Sequence, residues 1–117
     1  MQRTSERFYF RIEDLAHAQG EYSDLAFEGT SPAQFAAEFQ RGLREPDLFR
    51  RWRKKQPDPE AVPESLAPFD PDATVVASAA DMHTDVEVTT NLTHRVVAHR
   101  LTLLVGRGWT LRDVRLV

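Results

Sequence analysis

The chain has 117 residues, of which 41% are hydrophobic and 28% charged, with a net charge of −3 and no cysteine. That length suits one domain around a single core, and the apolar share excludes a natively disordered chain. The absence of cysteine excludes a disulfide framework, a thiol nucleophile and thiolate-held zinc or iron–sulfur groups.

Residues Met1 to Arg7 are polar and lack the apolar stretch of a signal peptide. No apolar run approaches the roughly 20 residues that span a bilayer. The expectation is a cytoplasmic protein with no membrane partner. Asn91-Leu92-Thr93 matches a glycosylation sequon, which without a secretory signal reads as a turn.

The first predicted element is a strand over residues 8–12. Phe8, Phe10 and Ile12 alternate with Tyr9, Arg11 and Glu13, the period that puts one set on one face. Residues 14–30 carry breakers at Gly20 and Gly29 and no clear period; the stretch is acidic and holds no Lys or Arg.

A helix is predicted next. Ser31 can cap it, Pro32 suits its first position and Gln34 completes a capping box, while Phe35, Phe39 and Leu43 form an apolar stripe. Pro46 forces a break and can open a second short helix, in which Leu48, Phe49 and Trp52 share a face and which Pro57 ends. Five of the seven prolines then fall in residues 57–72, alternating with acids, so that segment reads as an extended connector with one short helical turn near residues 60–66.

Residues 73–117 read as an antiparallel β-meander. Its first strand starts at Thr74. In its second, Met82, Thr84, Val86 and Val88 alternate with Asp81, His83, Asp85 and Glu87. Residues 95–105 are expected to form a long strand, joined to a last strand over residues 109–116 by a hairpin loop at Gly106-Arg107-Gly108. In that register Val105 faces Trp109 and Leu103 faces Leu111. The competing reading makes residues 94–105 a helix through Val97, Leu101, Leu104 and Val105, ended by Gly106. The expected fold is therefore α+β: one domain spanning residues 1–117, with about five antiparallel strands in β-α-α-β-β-β-β order and two short helices on one face.

Two clusters could carry chemistry. Arg50, Arg51, Trp52, Arg53, Lys54 and Lys55 place five positive charges around one indole, a composition that can neutralise phosphates and stack a base. Against that reading, Trp52 can anchor the core, cations in a last helical turn complement the helix dipole, and the acidic stretch 13–30 can absorb the arginines. Asp81, His83 and Asp85, two apart on a strand, could offer an oxygen–nitrogen–oxygen set to a metal, but alternating polar residues are also an ordinary solvent face, with Arg100 on the next strand as a neighbour. His94 and His99 are five apart, which suits no shared site, and His99 is expected to be a hydrogen-bonded core residue.

No catalytic residues and no cofactor are assigned from sequence. The leading expectation is a non-catalytic module that binds a protein partner or a second copy of itself. Nucleic-acid or phosphate binding through Arg50 to Lys55 comes second, and a metal-dependent enzyme around Asp81, His83 and Asp85 third.

Overall fold

Phe8, Phe10 and Ile12 form the buried side of β1 (Glu6–Ile12) in the computed structural model, which describes residues 4–117. The first three residues of the polar N-terminal stretch lie outside the described residues. A 3₁₀ turn follows at Leu15–His17, then α1 (Pro32–Arg44) and α2 (Asp47–Lys54). The proline-rich connector carries two 3₁₀ turns, Pro59–Ala61 and Glu64–Leu66, and leads into β2 (Thr74–Ala80), β3 (His83–Thr90), α3 (His94–Val105) and β4 (Trp109–Leu116).

The α+β class and the antiparallel sheet are as the sequence implies, with four strands rather than about five. The strand expected over residues 95–105 is α3 instead. Thr93 Oγ1 accepts from the Val96 N–H at 3.3 Å to cap its start, and Gly106, at φ 75°, ends it. The strand reading failed because α3 is buried nearly all round: Val96, Val97, Leu101, Leu103, Leu104 and Val105 leave only a narrow polar stripe, and four β-branched residues add a strand-like bias. Gly106 to Gly108 therefore joins a helix to a strand and forms no hairpin. Leu111 pairs with Phe10, and Trp109 with Ile12.

The sheet order is β2-β3-β1-β4, every neighbouring pair antiparallel. β1 and β2 thus run parallel with β3 between them, and β3 and β4 run parallel with β1 between them. This is the split β-α-β arrangement of ferredoxin-like topologies, with α1 and α2 together filling the first crossover and α3 the second. Helices α1 and α3 cover the face made by Phe8, Phe10, Ile12, Val75, Val86 and Val88. Ser31 Oγ caps α1, accepting from the Ala33 and Gln34 amides at 3.1 and 3.3 Å, and the Phe35, Phe39 and Leu43 stripe is fully buried. Phe35 meets Phe27 edge-on at 5.5 Å, and Phe10 meets Trp109 edge-on at 5.4 Å. Among the described residues no helix is long and apolar enough to cross a membrane.

Met82 does not share the buried face of Thr84, Val86 and Val88. Ala80 pairs with His83, so Asp81 and Met82 form a two-residue turn, and Met82 is 95% exposed at φ 59°. A left-handed conformation costs a side chain with a Cβ about 1 kcal/mol, and asparagine tolerates it best after glycine. Met82→Asn is accordingly expected to stabilise the fold by roughly 0.5–1 kcal/mol, read as a higher urea midpoint at unchanged m-value; an unchanged or lower midpoint would mean that the exposed thioether makes a contact worth as much.

Candidate functional site

The basic run is largely spent inside the molecule. α2 turns Arg51 and Lys55 toward Asp24: Arg51 Nη2 donates to the Asp24 carbonyl at 2.8 Å, and Lys55 Nζ lies 2.8 Å from Asp24 Oδ2 and 5.7 Å from the Tyr22 ring centre. The Lys55 hydrogen bond in particular holds the Asp24 carboxyl below the usual carboxylate range. Arg53 Nε donates to the Pro59 carbonyl at 2.8 Å, and its Nη2 reaches Glu64 at 3.5 Å, fastening the connector to α2. Trp52 is half-buried, its ring edge-on to His99 at 4.3 Å and tilted against Phe49 at 5.8 Å. Arg50 and Lys54 are exposed and make no hydrogen bond or ion pair among the described residues.

Behind Trp52 lies a group whose burial the sequence did not reveal. Arg100 was expected on a strand beside His83 or Asp85; it sits on α3 with no exposed surface. Its guanidinium donates to the carbonyls of Gly42 (3.4 Å), Leu66 (2.6 Å) and Pro68 (3.1 Å) and lies 5.3 Å from the Phe49 ring centre. It thereby ties α3 to the end of α1 and to the connector. Burial pushes its pKa down to about 10. The neighbouring His99 is half-buried, and its Nδ1 makes no hydrogen bond, contrary to the expectation of a hydrogen-bonded core histidine. Burial first, then the charges of Arg100 and Arg95, lower its pKa to about 4.

Asp70 is a third internal polar group. It accepts from Thr90 Oγ1 at 2.7 Å and from the Asn91 and Asp72 amides at 3.2 and 3.0 Å. Burial alone would raise its pKa, but these hydrogen bonds, with the Arg44 charge, outweigh it and leave the carboxyl below its ordinary value. Asp70 thus closes the connector onto the β3–α3 turn, a structural task.

The second predicted cluster is partly assembled. His83 and Asp85 lie on β3, with His83 Nε2 3.2 Å from Asp85 Oδ1. Asp81 belongs to the turn and contributes its backbone carbonyl, 2.9 Å from His83 Nδ1. The cation beside Asp85 is Arg11 of β1, directly opposite it in register, with Nε 3.8 Å from the carboxylate. Ser78 pairs with Asp85 from β2 but makes no hydrogen bond to His83. Among the described residues no three His, Asp or Glu side chains are arranged to hold a metal ion.

The uncovered face of the sheet, which the sequence could not assemble, brings these strands together. Tyr9 stands at its centre, with Arg115 stacked over the ring at 5.4 Å. Arg7 pairs with Glu87 at 4.0 Å and Arg11 with Asp85, and Arg115 Nε donates to Asp113 Oδ2 at 2.9 Å. Arg112, pushed out by a β-bulge between Leu111 and Asp113, and Val76, 61% exposed, complete the rim of a shallow cavity of about 360 Å³. The alternation in β1 and β3 was the available signal for this face; the missing information was that β1 lies between β3 and β4.

Compared with protein-family models, curated proteins and solved structures, the chain matches none.

Proposed function

We propose that this protein is a non-catalytic module that associates with a second copy of itself through the uncovered part of its sheet. The observation that carries this reading is the asymmetry of the fold. Among the described residues α1 and α3 lie over one face and α1 also reaches the start of the β2 edge, while the opposite face and β4 are left open with an aromatic residue, exposed aliphatic side chains and charges of both signs. Mixed charge with exposed apolar residues favours recognition of a complementary protein surface over that of a polyanion.

The remaining readings are less well supported. Phosphate binding by the basic run would rest on Arg50 and Lys54, because Arg51, Arg53 and Lys55 already have partners and Trp52 packs inward. A hydrolytic or metal-dependent reaction at His83 and Asp85 would lack both a positioned nucleophile and a third ligand among the described residues.

Sedimentation velocity over a concentration series tests the proposal. A species of twice the monomer mass should grow with concentration and survive nuclease treatment. A single monomeric boundary throughout would overturn it.

A further inference from the structure

The two edges of the sheet differ. On β2, α1 occupies the start of the edge: Gln40 Oε1 accepts from the Val75 amide at 3.1 Å, and Arg44 Nε donates to the Ala73 carbonyl at 2.6 Å. Natural sheets guard their edges in this way against pairing with other chains. Among the described residues β4 is the other edge strand, with no strand paired on its outer side. The Val117 amide donates inward to the Ser5 carbonyl at 3.2 Å, so by alternation the N–H and C=O groups of Val114 and Leu116 point outward. The Val114 amide is held by the carboxylate of its own neighbour, Asp113, at 2.9 Å. Val114 is 38% exposed and Leu116 78%, both on the helix side beyond the reach of α3.

We infer that the β4 edge pairs antiparallel with the β4 edge of a second copy about a two-fold axis at Val114, joining the two sheets into one of eight strands. This inference rests on the self-association proposed above and specifies where it occurs. The register follows from charge. A two-fold axis normal to the sheet pairs residues on the same face, so the axis can pass through Asp113, Val114 or Arg115. Centring on Asp113 would set that carboxylate against its own copy, and centring on Arg115 would set two guanidinium groups together. Centring on Val114 places Asp113 opposite Arg115 twice, while Val114 meets its own copy on the helix side.

The exchange at the axis is conservative in hydrogen bonds. The Val114 N–H leaves Asp113 for the partner's Val114 carbonyl, and the freed carboxylate oxygen faces the partner's Arg115. The bulge at Arg112, which would otherwise face the partner's Leu116, bends the strand away and confines the shared ladder to residues 113–115.

Two variants with reversed charge test the register. The Asp113→Arg chain carries two positive charges facing two of its own kind, and the Arg115→Asp chain two negative ones, so each alone should dimerise at least about tenfold more weakly than wild type. Mixed in equal amounts they should form a heterodimer, because every facing pair is then unlike. The chain has no cysteine, so Val114→Cys reports the axis directly. Strand pairs of this kind hold Cα atoms about 5.5 Å apart, within disulfide range, and mild oxidation should yield a covalent dimer, while Val76→Cys stays monomeric under the same conditions. Circular dichroism serves as the control that each variant keeps the fold, as expected at these exposed positions. Wild-type dimers that persist in both charge variants and fail to cross-link at position 114 would overturn the β4 register and leave self-association standing. A wild type that is monomeric at every concentration would overturn both.

Discussion

Arg100→Ala is expected to destabilise the fold by about 3–5 kcal/mol, the largest effect of any polar substitution considered for this chain. Arg100 is fully buried with no carboxylate beside it among the described residues, and its pKa of about 10 leaves it charged at neutral pH. What compensates the charge is a set of three backbone carbonyls, those of Gly42, Leu66 and Pro68, together with the face of Phe49. Truncation leaves these carbonyls without a donor and opens a cavity between α1, α3 and the connector. Arg100→Met separates the two losses: it restores most of the volume without the donors and should recover about 1–2 kcal/mol of the deficit. Hydrogen exchange adds a local readout. The Asp70 amide, which donates to the Leu43 carbonyl at 2.8 Å beside this site, should lose protection before the sheet amides do. If Arg100→Met proves as stable as wild type in urea, water is satisfying the carbonyls and the arginine is not the fastener described here.

Where the sequence could be read, one physical signal dominated its stretch. Phe8, Phe10 and Ile12 have the period of a strand exposed on one side, and β1 is such a strand. Ser31, Pro32 and the fourfold spacing of Phe35, Phe39 and Leu43 agree on start and face, and α1 follows them. Pro46 restarts the helix where expected, and the connector turns within its predicted span. Residues 94–105 were illegible for the opposite reason. A helix enclosed by the sheet, α1 and the loop after β1 needs apolar residues on nearly every side, which erases the period that distinguishes helix from strand. Arg100 was hidden by the same error. A charge inside an apolar run looks like the polar side of a strand until the helix places it against three carbonyls.

The candidate site suffered differently. Tyr9, Asp85, Asp113 and Arg115 come from three strands whose neighbours are set by two crossovers, and no local pattern announces that β1 lies between β3 and β4. The basic run was conspicuous in sequence, yet its charges are mostly directed to Asp24, Pro59 and Glu64. Here a linear cluster of charge records how a connector and a loop are fastened to a helix.

The same junction should make the fold sensitive to mild acid through His99. Its folded pKa of about 4 lies below the ordinary value of 6.5, with burial as the main cause and the Arg100 and Arg95 charges adding to it. Above pH 6.5 the ring is neutral in both states and its contribution to stability is complete. Between 6.5 and 4 the unfolded chain takes up a proton that the folded chain refuses, so stability falls as pH falls; below 4 both states are charged and this slope ends. The full shift corresponds to about 3 kcal/mol, and screening at a half-buried ring reduces the expected loss to about 2 kcal/mol. Loss at the buried carboxylate Asp70, whose pKa is lowered, begins at more acidic pH, so the interval from 6.5 to 5 isolates the histidine. His99→Phe keeps the edge-on contact with Trp52 and removes the titration, and its urea midpoint should fall less than that of wild type between pH 7 and 5. Equal slopes in the two proteins would refute the assignment. In wild type the protonated ring would face Arg100 and Arg95 from beneath Trp52, so the contact most weakened by acid is the one that holds α2 to α3, and α2 should loosen before the sheet does.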